Sequence, residues 1–355
     1  MSPAPADLGA GPTSRGLAPI AIAAAALGAA ILLSTSVGTL AIPVSTTLTA
    51  GLKGLCGAGR ALRDLEAVVW ELRIPRVLTG ALVGAALGAS GAAMQGLFRN
   101  PLVDPYLLGI ASGASLGATL AWTLLGQLGP ASAEVPFALG SAPGLVPLFA
   151  FSGALLAVGL TLSLSGIRRS SPSSVLLAGV VVGSVLTSVS TYLLLRDADR
   201  ARAVFSWTLG NLSFAGWSGL SAVTPYAAAG IFVLLALARP LDVLQLGEDT
   251  ALTLGVPVRR VRLGIIAGAS LATAAAVAFV GLIGFVGLVA PHVMRRLVSP
   301  RHRELLVASA LGGATLLVLS DLGARTLTRP AELPVGLVTT LLGGPFFLWL
   351  LRRTA

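Results

Sequence analysis

Residues 239–262, RPLDVLQLGEDTALTLGVPVRRVR, form a polar island between two long apolar runs. Within it Leu246, Ala251, Leu254 and Val258 recur at near-helical spacing, and Gly247, Glu248, Asp249 and Thr250 have the make-up of a helix start, with acids at the positive end of the dipole. Gly255 and Pro257 then stop the helix. The spacing predicts a short helix with an apolar ridge, flanked by Arg239 before it and by Arg259, Arg260 and Arg262 after it. At a membrane face such a helix is ready to dock on a partner. The plainer alternative is a solvated loop that anchors two spans through its arginines.

The apolar runs on either side are typical of the whole chain. Of its 355 residues 55% are hydrophobic and 11% charged, and the mean hydropathy is +0.89. That excludes a soluble globular surface and predicts an all-α, polytopic membrane protein in the lipid bilayer. The 43 glycines fit, because helices in lipid associate through small residues that let backbones approach. A net charge of +10 raises the question of nucleic acid, but the arginines fall in short clusters between apolar runs, a pattern of membrane orientation. Cys56 is alone and the two histidines have no metal-ligand spacing, so neither disulfide nor metal chemistry is expected. Lys53 is the single lysine and no GxxxxGK[ST] string occurs, so this chain has no P-loop for ATP and no bound cofactor is expected.

A span needs about 20 mostly apolar residues. Ten runs qualify: 17–40, 72–97, 107–127, 142–166, 172–195, 217–238, 261–282, 284–298, 304–322 and 335–351, the eighth short enough to be a partial helix. Arg15 followed by Leu17 to Leu33 resembles a signal peptide but is read as the first span. Residues 1–16 are then a cytoplasmic tail and 17–353 one transmembrane permease domain, with both termini cytoplasmic. Fourteen of the 24 basic residues fall on the inner side in this arrangement, as the positive-inside rule requires. Runs two and seven, GAALGASGAAMQGLFRNPLVDP and AAAVAFVGLIGFVGLVAPHVMRR, both pass from a small-residue helix into a polar break with proline. They lie five apart and so point in opposite directions, which predicts an inverted repeat of spans 2–5 and 7–10.

Four features carry candidate chemistry. FRNPLVDPYLLGIASGASLG, 98–117, interrupts apolar sequence and reads either as a cytoplasmic constriction closed by Asn100 and Leu102, or as a loop with Pro105 starting the next helix. Ser90 and Ser115 sit in GASG and GASLG strings that match hydrolase signatures, but only His292 and His302 could serve as bases, and small-residue packing explains both strings. Asp321 is either a proton-relay acid or the partner of Arg325 one helical turn on. Arg73 and Arg76 at the outer mouth of span 2, and Arg325 near that of span 10, could receive carboxylates of a docking protein or merely anchor the interface.

The blocks RIPRVLTGALVGAALGASGAAMQGLFRNPLVDPYLLGIASGASLG, LGEDTALTLGV, GFVGLVAPHVMRRL and DLGAR with AELPVGLVTTLLGGPFFLWLLRR stand in order from Leu72 onward. Together they closely resemble permeases of type II ABC importers for iron chelates, haem and vitamin B12. The resemblance implies a ten-span subunit of the cell inner membrane that dimerises, binds two cytoplasmic ATPase subunits carrying ATP and Mg, and receives cargo from an extracytoplasmic binding protein. It assigns ATPase contact to the loop of Leu246, Gly247, Glu248, Ala251, Leu254 and Gly255, and binding-protein contact to Arg73, Arg76 and Arg325. It also assigns gating to Asn100 and Leu102, with a second gate segment near Pro172 and Ser173. An iron-siderophore is the expected cargo, with haem and cobalamin behind. The rival classes are a proton-coupled secondary transporter using Asp104 or Asp321 and, more remotely, an intramembrane serine protease using Ser90.

Overall fold

The computed structural model describes residues 14–38, 40–57, 64–127, 144–166, 172–213 and 215–354. Most of the predicted 1–16 tail, and the segments carrying Glu134, Arg168 and Arg169, lie outside the described residues. Among the described residues all regular structure is helical. In order the elements are α1 (Ser14–Ser36), α2 (Val44–Leu55) and the single turn α3 (Asp64–Ala67), which continues through a π-helical stretch (Val68–Arg73) into α4 (Ile74–Phe98). A 3₁₀ turn (Pro105–Leu108) leads into α5 (Ile110–Gln127), followed by α6 (Leu145–Leu164), α7 (Pro172–Leu194), α8 (Ala198–Thr208) and α9 (Trp217–Ala236). The island supplies α10 (Ala238–Leu244) and α11 (Glu248–Thr253), and the chain closes with α12 (Val258–Val280), α13 (Val286–Met294), α14 (His302–Thr326) and α15 (Val335–Thr354).

Each of the ten apolar runs contains a helix. α1, α4, α6, α7, α9, α12 and α14 are long and apolar enough to cross a membrane, and α5 and α15 hold shorter apolar stretches. α13 has only nine residues, the partial helix that its short run predicts.

The interior is α4, α12 and α14, whose most apolar windows are 78%, 72% and 61% buried, against 22% for α1, α7 and α9. Glycine decides this. A Cβ on Gly84 would stand 2.3 Å from the Gly313 carbonyl oxygen, and one on Gly88 2.1 Å from that of Ser309, so α4 and α14 touch main chain to main chain. α5 and α6 meet in the same way, through Gly113 against Gly153 and Gly117 against Phe149. Burying apolar side chains distinguishes little between lipid and protein, so close backbone contact and its dispersion supply the attraction.

α4 runs from the Arg76 end toward the island, and α12 starts at the island and runs back. The sequences α4 to α7 and α12 to α15 thus traverse the molecule in opposite senses, each opening with a buried span that breaks before a shorter helix. Both breaks use left-handed backbone, at Arg99 (φ 50°) and Gly109 (φ 86°) in one half, and at Gly281 (φ 76°) and Phe285 (φ 67°) in the other.

Candidate coupling, gate and docking sites

The island folds into two short helices instead of one. α11 begins after Gly247 (φ 118°) and its chain turns away at Gly255 (φ 78°), as the spacing predicts. α10 is not anticipated by the spacing, which marks only Arg239 as a flank of the one short helix in the island. Its signals were Pro240 near the first turn and the pair Leu241 and Leu244, which are buried. The predicted apolar ridge is also split. Ala251 and Val258 face the protein, whereas Leu246, Leu254 and the unforeseen Leu252 are about 60% exposed or more, at 66%, 61% and 59%. The reason is geometric: Gly255 and Pro257 re-aim the chain before Val258, so that Val258 opens α12 rather than extending the ridge. Glu248 pairs with Arg262 across this bend, and Arg259 and Arg260 are exposed beside the free leucines.

The turn after α4 brings Asn100 and Leu102 together, the Leu102 N–H donating to Asn100 Oδ1 at 2.9 Å. Pro105 starts a helical turn, as the plainer reading of this segment has it, in the form of a 3₁₀ turn capped by Asp104, whose Oδ1 accepts from Tyr106 N at 2.8 Å. Burial lifts the Asp104 carboxyl to about 6, against the lowering effect of that hydrogen bond. Tyr106 reaches the second break, donating to Ile283 O at 3.1 Å. α7 starts at Pro172 with Ser173 exposed, and it meets the 3₁₀ turn further along, at Gly179, whose Cβ position is 2.0 Å from Leu107 O. A groove of about 620 Å³ between α5, α7 and α8 is lined by hydroxyls of Ser115, Thr187, Ser190 and Thr191. α7 shows further hydroxyls, Ser184 and Ser188, on its exposed surface.

At the opposite mouth the three predicted docking arginines are engaged inside the chain. α1 has no basic residue in its last turn. Arg73 donates to Thr35 O at 2.9 Å, Ser36 O at 3.0 Å and Leu40 O at 2.6 Å, and Arg325 donates to Ser34 O at 3.1 Å and Ser34 Oγ at 2.6 Å. These two guanidinium groups cap the orphan carbonyls of α1, where the dipole also favours a cation. Asp321 sits between Arg325, at 3.0 Å, and Arg76, at 2.8 Å, so the ion pair with Arg325 is present and a second arginine is added. Arg76 also holds Glu332 at 2.9 Å, and Ser213 bonds the same carboxylate oxygen. Burial raises the Glu332 carboxyl, but the charge and hydrogen bond of Arg76 outweigh this and hold it below the usual range. A cavity of about 480 Å³ opens here, lined by Arg73, Arg76, Arg325, Glu71, Glu332 and Ser213. Glu332 and the α1 carbonyls were missed because the sequence gives no spacing that links Arg76 to Glu332, 256 positions on, or Arg73 and Arg325 to the end of α1, 38 and 291 positions back.

Ser90 is fully buried and donates to Ala269 O at 3.2 Å. Neither histidine is among its partners: His302 bonds Asp242, and the His292 ring lies against Phe346.

Spans packed through glycine, paired breaks and a short island helix flanked by exposed leucines are the architecture of a multi-span membrane permease. The chain belongs to the FecCD transport family, whose model matches residues 26–353. It is 42% identical over 287 residues to the hemin transport system permease protein of Yersinia pestis, covering 80% of this chain and 83% of that one. It is 40% identical over 289 residues to the cobalamin import system permease protein of Halobacterium salinarum, covering 81% and 74%. With the Fe(3+) dicitrate transport system permease protein of Escherichia coli it shares 36% over 329 residues, covering 92% and 96%. Among solved structures, an inward-facing metal-chelate type ABC transporter matches with a TM-score of 0.78 at 27% identity, covering 94% of this chain and 98% of the other.

Proposed function

We propose that this chain is the permease subunit of an ATP-driven importer that passes an iron-siderophore complex, or haem or cobalamin, from an extracytoplasmic binding protein to the cytoplasm of the cell by alternating access. The observation that carries this reading is the exposed trio Leu246, Leu252 and Leu254, on α11 and just beyond its two ends, with the inner side of the helix fixed by Ala251 and with Arg259 and Arg260 exposed at the start of α12. Three leucines beside arginines suit a cytoplasmic protein surface with its own apolar groove, here an ATPase subunit. The relatives' names supply the cargo classes. The reading includes a homodimer in which two copies enclose the path, with Ser184 and Ser188 of α7 as exposed hydroxyls among its otherwise largely apolar outer residues. At the far mouth the Arg76–Glu332 pair is the place where a binding-protein carboxylate would exchange with Glu332, whose side chain is 33% exposed.

The test is uptake into proteoliposomes holding the permease and its ATPase, with the binding protein outside. Import that needs ATP and ignores proton uncouplers is the expected result. Import by the permease alone, driven by a pH gradient, would replace this reading with the proton-coupled one, for which the half-buried Asp104 is the observation in favour.

A further inference from the structure

We propose that Arg99 is a positioning residue that ties α10 of the island to the Asn100–Leu102 turn, so that island motion is delivered to the gate. The proposal rests on the importer reading above. α4 ends in a backbone state that side-chain-bearing residues rarely adopt: Arg99 has φ 50° and ψ 37°. Its N–H bonds Gly96 O at 3.2 Å, and Asn100 N bonds Gln95 O at 3.1 Å. This cap swings the chain off the helix axis into the turn and directs the Arg99 side chain to the island, where its guanidinium donates to the Leu244 carbonyl. Leu244 is the last residue of α10, so the acceptor, which also takes the Gly247 N–H at 3.2 Å, lies at the negative end of a helix.

The surrounding contacts make the tie a strut. Gln245 Nε2 donates to Gly96 O at 3.0 Å. Asp242 Oδ1 accepts from His302 N at 2.9 Å and lies 2.6 Å from His302 Nδ1. α10 therefore grips the adjoining ends of α4 and α14 over its buried Leu241 and Leu244. Gly96 permits the fit, since a Cβ there would stand 2.5 Å from His302 Nε2. The other end of the turn is fixed by Tyr106 on Ile283. Residues 99–106 are thus strung between the island and the second break. Glycine would suit the backbone at position 99 better, so the arginine is explained by its side chain.

Arg99→Gly consequently removes the guanidinium while relaxing the backbone, which separates transmission from folding. In proteoliposomes with the full chain, its ATPase and its binding protein, cargo imported per ATP hydrolysed is measured with ferrichrome, haemin and cyanocobalamin as probes, alongside the melting temperature in detergent. Arg99→Gly should keep its melting temperature and ATP hydrolysis while the cargo-to-ATP ratio falls about tenfold, and Arg99→Lys should recover most of it. A wild-type ratio in Arg99→Gly overturns the strut alone. Parallel loss of melting temperature, hydrolysis and uptake that lysine does not restore also overturns it, as a merely structural role. If the wild-type protein imports none of the probes with ATP, the importer reading fails and the strut with it.

Discussion

The acids set among the helices of this protein divide by partner. Asp321 is locked between Arg76 and Arg325, at the centre of a structural ion-pair cluster. Asp104 is different, half-buried with desolvation lifting its carboxyl to about 6. A raised carboxyl pKa favours the neutral folded form, so the associated stability is complete below about pH 4 and is lost as pH rises through about 6. Asp104→Asn keeps an acceptor for the Tyr106 N–H and is always neutral. Its melting temperature should therefore match wild type near pH 4 and exceed it increasingly up to about pH 7, read by thermal unfolding in detergent. Under the importer reading the variant still transports, and loss of uptake with intact folding would point to a proton relay instead. Residue types at this scale were legible: Asn100, Asp104, Asp321 and the arginines all stood out against apolar sequence. Their partners were not. Arg73 and Arg325 read as docking or interface-anchoring groups, and nothing in the chain's order reveals that they also cap the end of α1 from two other elements.

Elements were legible where one physical rule dominates. Continuous apolar length marked every span, and Gly247 with the acids after it, then Gly255 with Pro257, marked the two ends of α11. α10 escaped because seven residues carry little periodicity and lie beside a stronger signal. In the island, Glu248→Arg opposes Arg262 across the bend, and Gly255→Trp forces a bulky residue into φ 78°, although the space around it is open. Both variants should insert and fold yet lose most ATP-dependent uptake, and full uptake in either would count against the docking role of α11. Between α4 and α14 the prediction is steric. Gly88→Val places a branched side chain on the Ser309 carbonyl, and overpacking of this kind costs about 1–3 kcal/mol or more. Its measure is a lowered melting temperature in detergent, with Gly28→Val, where nothing lies within 4 Å, as the control that should change little.

For the molecule as a whole, the two oppositely running halves meet along α4, α12 and α14, and the island and the far mouth lie at opposite ends of these spans. Any signal between the ends must pass through helices that touch by their backbones. Such a contact has no rotamers through which to loosen by degrees. Where Gly84 faces Gly313 and Gly88 faces Ser309, heat can only leave the seam shut or part it along its length. Calorimetry on the detergent-solubilised protein should accordingly register the melting of this pair as one sharp event, with the thinly packed α1 fraying well before it.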